Sequence, residues 1–180
     1  DTVSAPGFRF GRRLQRVSEV DVARRWRHPL LVLSAASTLP GVAHVAAGAN
    51  RQHRLRGLLI RRDVGTGLLG PMLDRAGLRA GRHILVHEGP PLPRRVLDAW
   101  EKGAENELIA EASVTGGMLF VLSCALERLD VPVRKLAALS RLSAEELRGV
   151  KVSRDGSYLH WPSGDVHLDF GSLRYLVDPV

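Results

Sequence analysis

In the first ninety residues, short, wholly apolar runs alternate with turn residues. Leu30-Leu31-Val32-Leu33 lacks polar alternation and is short, as expected of a buried strand, and Leu58-Leu59-Ile60 reads as a further strand. His83 to His87 reads as another strand, and so does Val42 to Ala47. Ser18-Glu19-Val20-Asp21 has the form of a helix N-cap with an acid three residues on, opening a short helix through Val22 and Trp26 that stops before Pro29. Phe8 to Val17 is irregular or a first strand, and Asn50 to Arg56 is a basic turn. Leu68 to Ala76 reads as a short helix closed by Gly77.

Pro90, Pro91 and Pro93 change the style of the chain and place a boundary between residues 1–90 and 91–180. From Arg94 to about Ser113 the spacing of Val96, Leu97, Trp100, Leu108 and Ile109 is helical, with Glu101, Glu105, Glu107 and Glu111 outward. Gly116-Gly117 interrupts that pattern. Met118 to Leu129 then reads as a nearly all-apolar helix, buried in a core or in a homodimer contact. Val133 to Ser140 and Ala144 to Val150 give two more short helices. The tail alternates through Val150 and Val152, Tyr158 to Trp161, and Val166, Leu168 and Phe170, with turns at Asp155-Gly156 and Ser163-Gly164. The fold class expected is α+β: a mixed β-rich N-terminal part, a helical middle and a C-terminal antiparallel β-meander. The expected core contains Leu31, Val32, Leu59, Ile60, Ile84, Val86, Trp100, Leu119, Phe120, Leu122 and Trp161.

Charge changes this picture of an ordinary α+β protein. Of the 180 residues, 44% are hydrophobic and 25% charged, with a net charge of +7. The halves differ: residues 1–90 hold 15 arginines, no lysine and 6 acids, whereas residues 91–180 hold 8 arginines, 3 lysines and 13 acids. A GC-rich genome accounts for arginine over lysine but not for the crowding into one half. Guanidinium groups bind phosphate in a planar, two-pronged way and stack on bases, so a polyanion is the implied partner. Cys124 is the sole cysteine, which rules out an intrachain disulfide and a cysteine-based zinc site. The longest apolar stretch, Val114 to Leu126, is too short for a bilayer span of about 20 residues, and no signal-peptide pattern opens the chain. The expectation is a cytoplasmic protein without a membrane partner.

Four groups of residues invite a chemical reading. Arg9, Arg12, Arg13, Arg24, Arg25, Arg27, Arg51, Arg54, Arg56, Arg61 and Arg62 interleave with Phe8, Phe10 and Trp26, so guanidinium groups would neutralise phosphates while rings stack on bases. A solvated basic face accounts for the same pattern without a ligand. Arg134 to Val150 has the spacing of a helix-turn-helix, although Arg141 stands at the turn and Glu145 and Glu146 would repel phosphate. Two ordinary packed helices explain it as well. Gly65-Thr66-Gly67-Leu68-Leu69-Gly70 matches the dinucleotide fingerprint, with Glu88 placed as a ribose-binding acid; a glycine turn before a short helix is the plainer reading. On a strand, Asp165, His167 and Asp169 share one face near His160, compatible with an oxygen/nitrogen metal site or with a solvated polar face. No serine or cysteine has a base and an orienting acid in a recognisable pattern, so no catalytic residue, cofactor or bound metal is expected.

The tail from Val152 to Val166, resting on Trp161, Pro162, Gly164 and Asp165, resembles a small uncharacterised bacterial domain family that ends in a strand, a Trp-Pro-x-Gly-x-Asp-like turn and a short closing segment. The resemblance covers about the last 35 residues and implies a hairpin anchored by Trp161. Some members of that family are fused to a repressor-like helix-turn-helix and some are encoded beside toxin-like partners. The expected function is a non-enzymatic nucleic-acid-binding or regulatory protein touching the phosphate backbone of DNA or RNA. The alternatives are a protein-interaction module of toxin-neutralising or complex-forming type, and a small nucleotide- or metal-dependent enzyme.

Overall fold

A computed structural model of the chain describes residues 25, 27–63, 67, 69–78 and 83–177. The fold is α+β, and the chain divides into two compact units at Arg94–Arg95. The expected strand over Phe8 to Val17 and the helix opened at Ser18 lie outside the described residues.

In the first unit β1 (Leu30–Ala35), α1 (Leu39–Arg51), β2 (Leu55–Arg61), α2 (Leu69–Arg75) and β3 (Ile84–His87) follow one another. The three strands form a parallel sheet in the order β1-β2-β3. Parallel neighbours require crossovers, and both helices serve as one. Leu30, Val32, Leu58, Ile60, Ile84 and Val86, alternate positions on three strands, form one apolar cluster with Leu39, Val45 and Ala46 of α1 and Leu69 of α2. Both helices therefore cover the same face, as two right-handed crossovers in one direction demand. The strand expected over Val42 to Ala47 is instead the middle of α1. Pro40 pre-sets the first turn, and Leu39, Val42, Val45, Ala46 and Ala49 recur at helical spacing.

The second unit starts within α3 (Pro91–Lys102), whose amphipathic face carries the buried Val96, Leu97 and Ala99. The helix expected to run on to Ser113 stops at Gly103, where φ is +71°. Beyond it the helical middle gives way to strands: β4 (Ile109–Thr115), β5 (Met118–Ser123) and β6 (Arg128–Pro132) form an antiparallel sheet. Gly116 and Gly117 both have positive φ, +59° and +75°. That is the two-residue turn whose twist matches paired strands, so the apolar run after it folds back as β5 rather than coiling. Leu119 and Val121 then face inward, while Phe120 and Leu122 lie half-buried on the other face, Phe120 under the guanidinium of Arg128 at 4.6 Å. Of the expected core, Leu31, Ile84, Val86 and Trp100 are likewise half-buried, and the other members are fully buried.

Two short 3₁₀ turns, Val133–Lys135 and Ala137–Leu139, and the five-residue α4 (Ala144–Arg148) replace the expected pair of helices, so no helix-turn-helix forms. Ser143 and Glu146 close a reciprocal capping box at the start of α4. The C-terminal meander is present as β7 (Lys151–Val152), β8 (Leu159–Trp161) and β9 (Val166–Leu168), followed by α5 (Phe170–Val177). Leu159, Trp161, Phe170 and Leu173 join Ile109, Leu119, Val121 and Val131 in one core. Trp161 is fully buried, and its Nε1 donates to the Leu147 carbonyl at 3.0 Å. No helix among the described residues is long and apolar enough to cross a membrane.

Two consequences are measurable. A Cβ on Gly156 (φ +82°) would stand 2.5 Å from the Ile109 carbonyl oxygen, and Ile109 N donates to Gly156 O at 2.7 Å. Gly156→Ala is expected to cost about 2–4 kcal/mol, the left-handed penalty plus the clash, read from the denaturant midpoint. Ser157 and Ser153 donate to Asp155 and hold its carboxyl down to about 2. This depressed group contributes stability above the ordinary carboxylate range near 3.9 and loses it as pH falls toward 2. The stability difference between the protein and Asp155→Asn should stay constant above about pH 5 and shrink toward pH 2.

Candidate nucleic-acid interface

Parallel pairing sorts the arginines of the first unit by edge. Because β1 and β2 run in the same direction, their beginnings share one edge and their ends another, about 20 Å apart for a seven-residue strand. At the amino edge, Arg27 and His28 lead into β1, Arg51 ends α1, His53 and Arg54 join it to β2, and Arg56 is the second residue of β2. Leu30 N donates to the Arg54 carbonyl at 2.8 Å, and the Arg54 guanidinium donates to the His28 carbonyl at 3.3 Å and to Gln52 Oε1 at 2.7 Å. His53, in the left-handed region at φ +55°, turns the chain there. Arg27, Arg51 and Arg56 are exposed and form no ion pair among the described residues. Residues 22–62 contain no acid at all.

The carboxyl edge is organised differently. Asp63 accepts hydrogen bonds from Ser37 N at 3.1 Å and Ser37 Oγ at 2.6 Å, and lies 3.8 Å from Arg61 Nη2. The Ser37 bonds, ahead of the Arg61 charge, lower the Asp63 carboxyl below its ordinary range. Arg62 Nη1 donates to Glu88 at 3.0 Å. Burial pushes the His87 imidazole down, and its Nδ1 lies 2.9 Å from the Gly89 carbonyl. Arg61 and Arg62 thus bind carboxylates of their own edge, in exposed, solvent-screened pairs.

Of the eleven arginines singled out, six fall into these two sets: Arg27, Arg51, Arg54 and Arg56 share the amino edge, and Arg61 and Arg62 stand apart with acids. Arg25 is exposed. Arg9, Arg12, Arg13 and Arg24 lie outside the described residues, as do Phe8, Phe10 and Trp26. Of the glycine-rich stretch, Leu69 and Gly70 open α2, and Gly65, Thr66 and Leu68 lie outside the described residues; β3 follows β2 in parallel. The acid expected at a ribose, Glu88, is engaged by Arg62. The residues that sequence reading passed over are Ser37 and Asp63, 26 positions apart; only the side-by-side ends of β1 and β2 bring them together.

In the second unit, Cys124 is buried, its thiol pushed up to about 12 by desolvation. The polar face of β9 is partly gathered. His160, Asp165 and His167 meet, whereas Asp169 caps α5, accepting from Ser172 N at 2.8 Å and Ser172 Oγ at 2.7 Å.

Removing the Ser37 hydroxyl deletes the largest cause of the Asp63 shift, so Ser37→Ala should bring the Asp63 carboxyl back up toward the ordinary range near 3.9. A carboxyl ¹³C titration reads this directly, and an unmoved midpoint would refute the assignment.

No protein-family model matches the chain, and no curated protein matches it significantly in sequence. Among solved structures, that of a protein of unknown function from Rhodospirillum rubrum is similar over 37% of this chain and 83% of that one, at 25% identity and a TM-score of 0.35.

Proposed function

We propose that this chain is a non-enzymatic nucleic-acid-binding or regulatory protein that contacts the phosphate backbone through the amino edge of its parallel sheet. One observation carries the reading: Arg27, Arg51, Arg54 and Arg56 come to one edge, built from a segment without a single carboxylate. Arginines kept for structure are normally matched by acids, as Arg61 and Arg62 are at the opposite edge. Arg27, Arg51 and Arg56, exposed and in no ion pair among the described residues, carry a positive potential that a polyanion relieves. The rigid β1–β2 pairing presets the spacing of these guanidinium groups, which lowers the ordering cost of binding. Such contacts position a nucleic acid without reading bases. Arg25 and the arginines before it extend the same basic stretch in sequence.

Binding of a fluorescent duplex DNA and of a single-stranded RNA, followed by anisotropy against salt, tests this. Four phosphate contacts give a slope of about −3.6 in log K against log salt on duplex DNA, a loss of roughly 10²-fold between 50 and 200 mM. Arg51→Gln with Arg56→Gln should flatten the slope by about 2, while Arg62→Gln should leave it in place. Absence of binding at low salt, or binding without a salt slope, would overturn the proposal.

A further inference from the structure

The geometry points to a divalent transition-metal site on the C-terminal sheet, made by His160, His167 and Asp165, independent of the arginine edge. His160 on β8 and His167 on β9 are direct cross-strand partners. Their rings stack with centroids 4.5 Å apart and planes 10° from parallel. Tyr158 packs edge-to-face with His167 at 5.0 Å between centroids and 70° between planes. Asp165, held in the left-handed conformation at φ +49° by the 3₁₀ turn Pro162–Gly164, places Oδ1 3.9 Å from His167 Nδ1. One ligand atom from each of the three residues lies within 4.8 Å of the other two.

Two imidazoles and one carboxylate are a nitrogen/oxygen set suited to zinc, nickel, cobalt or copper rather than to calcium or magnesium, which take oxygen ligands. Metal–ligand bonds of about 2.0–2.2 Å put neighbouring donors roughly 3.3 Å apart in a tetrahedral site. The three donors therefore close by about 1 Å each, and the exposed His167 ring rotates out of the parallel stack so that its in-plane lone pair converges with that of His160. The backbone supplies the rest. Trp161, fully buried beside His160, and the paired β8 and β9 hold the two histidine Cα atoms across one rung of the ladder. Three protein ligands leave a tetrahedral ion one position for water or for an outside donor. A bound ion would also staple β8 to β9, two strands of three residues each.

Isothermal titration of the full chain, stripped with chelator, with zinc chloride tests the site, alongside the histidine ring resonances of the same sample. One saturable ion per chain is expected, with the His160 and His167 ring signals shifting and the melting temperature rising. His160→Ala and His167→Ala should each weaken binding at least about tenfold, and Asp165→Asn by less; His44→Ala, on the exposed side of α1, should leave it unchanged. The ring signals of the unaltered protein keep the test decisive should a variant fail to fold. Unshifted His160 and His167 rings at saturating zinc, or full-strength binding in both alanine variants, would overturn the site.

Discussion

Everything at either end of the first unit is placed by the pairing of one central strand. Leu58, Leu59 and Ile60 are fully buried, so their backbone N–H and C=O groups have no water to bond and must be met by strands on both sides. β1 and β3 do this in parallel register, Val32 beside Leu58 and Leu58 beside Ile84. Parallel pairing forces the chain to return across the sheet through α1 and α2, and it places like ends together. The arginine edge and the Ser37–Asp63 edge are both consequences of that requirement.

The second unit solves the same problem with local reversals. Gly116-Gly117 turns β4 into β5 within two residues, and the antiparallel ladder that follows satisfies the backbone of an apolar run. Its core is then closed by the C-terminal meander: Gly156 lies against the start of β4, and Trp161 bonds the end of α4 while filling the interior. The side chains left outside that closure, His160 and His167, are paired because their neighbours Leu159, Trp161, Val166 and Leu168 face the core.

Charge is divided by the same geometry. The formal net charge of +7 is a sum over unlike places. Arg61 pairs with Asp63 just beyond the end of its own strand, Arg62 pairs with Glu88 past the end of β3, and Arg128 bonds Asp130 on its own strand at 2.6 Å. The amino edge is drawn from a segment without acids, and its exposed Arg27, Arg51 and Arg56 form no ion pair among the described residues.

The apolar strands Leu30–Ala35 and Leu55–Arg61 were legible from composition alone, because short apolar runs between turn residues read as strands, although Leu31 and Leu33 are only half-buried. So was the alternating tail, where one face is wet, and so was the short helix before Gly77. The middle was not: Met118 to Leu129 is apolar enough for either a helix or a strand, and pairing with β4 across the tight Gly116-Gly117 turn decided the matter. Val42 to Ala47 was misread for the same reason, its period hidden by small residues that the crossover between parallel strands forced into α1. Individual arginines and histidines could be named from the chain. The His160, Asp165 and His167 grouping followed from alternation in the tail, but Arg54 meets His28 and Ser37 meets Asp63 only through strand pairing, a contact between positions 26 apart that no local pattern encodes.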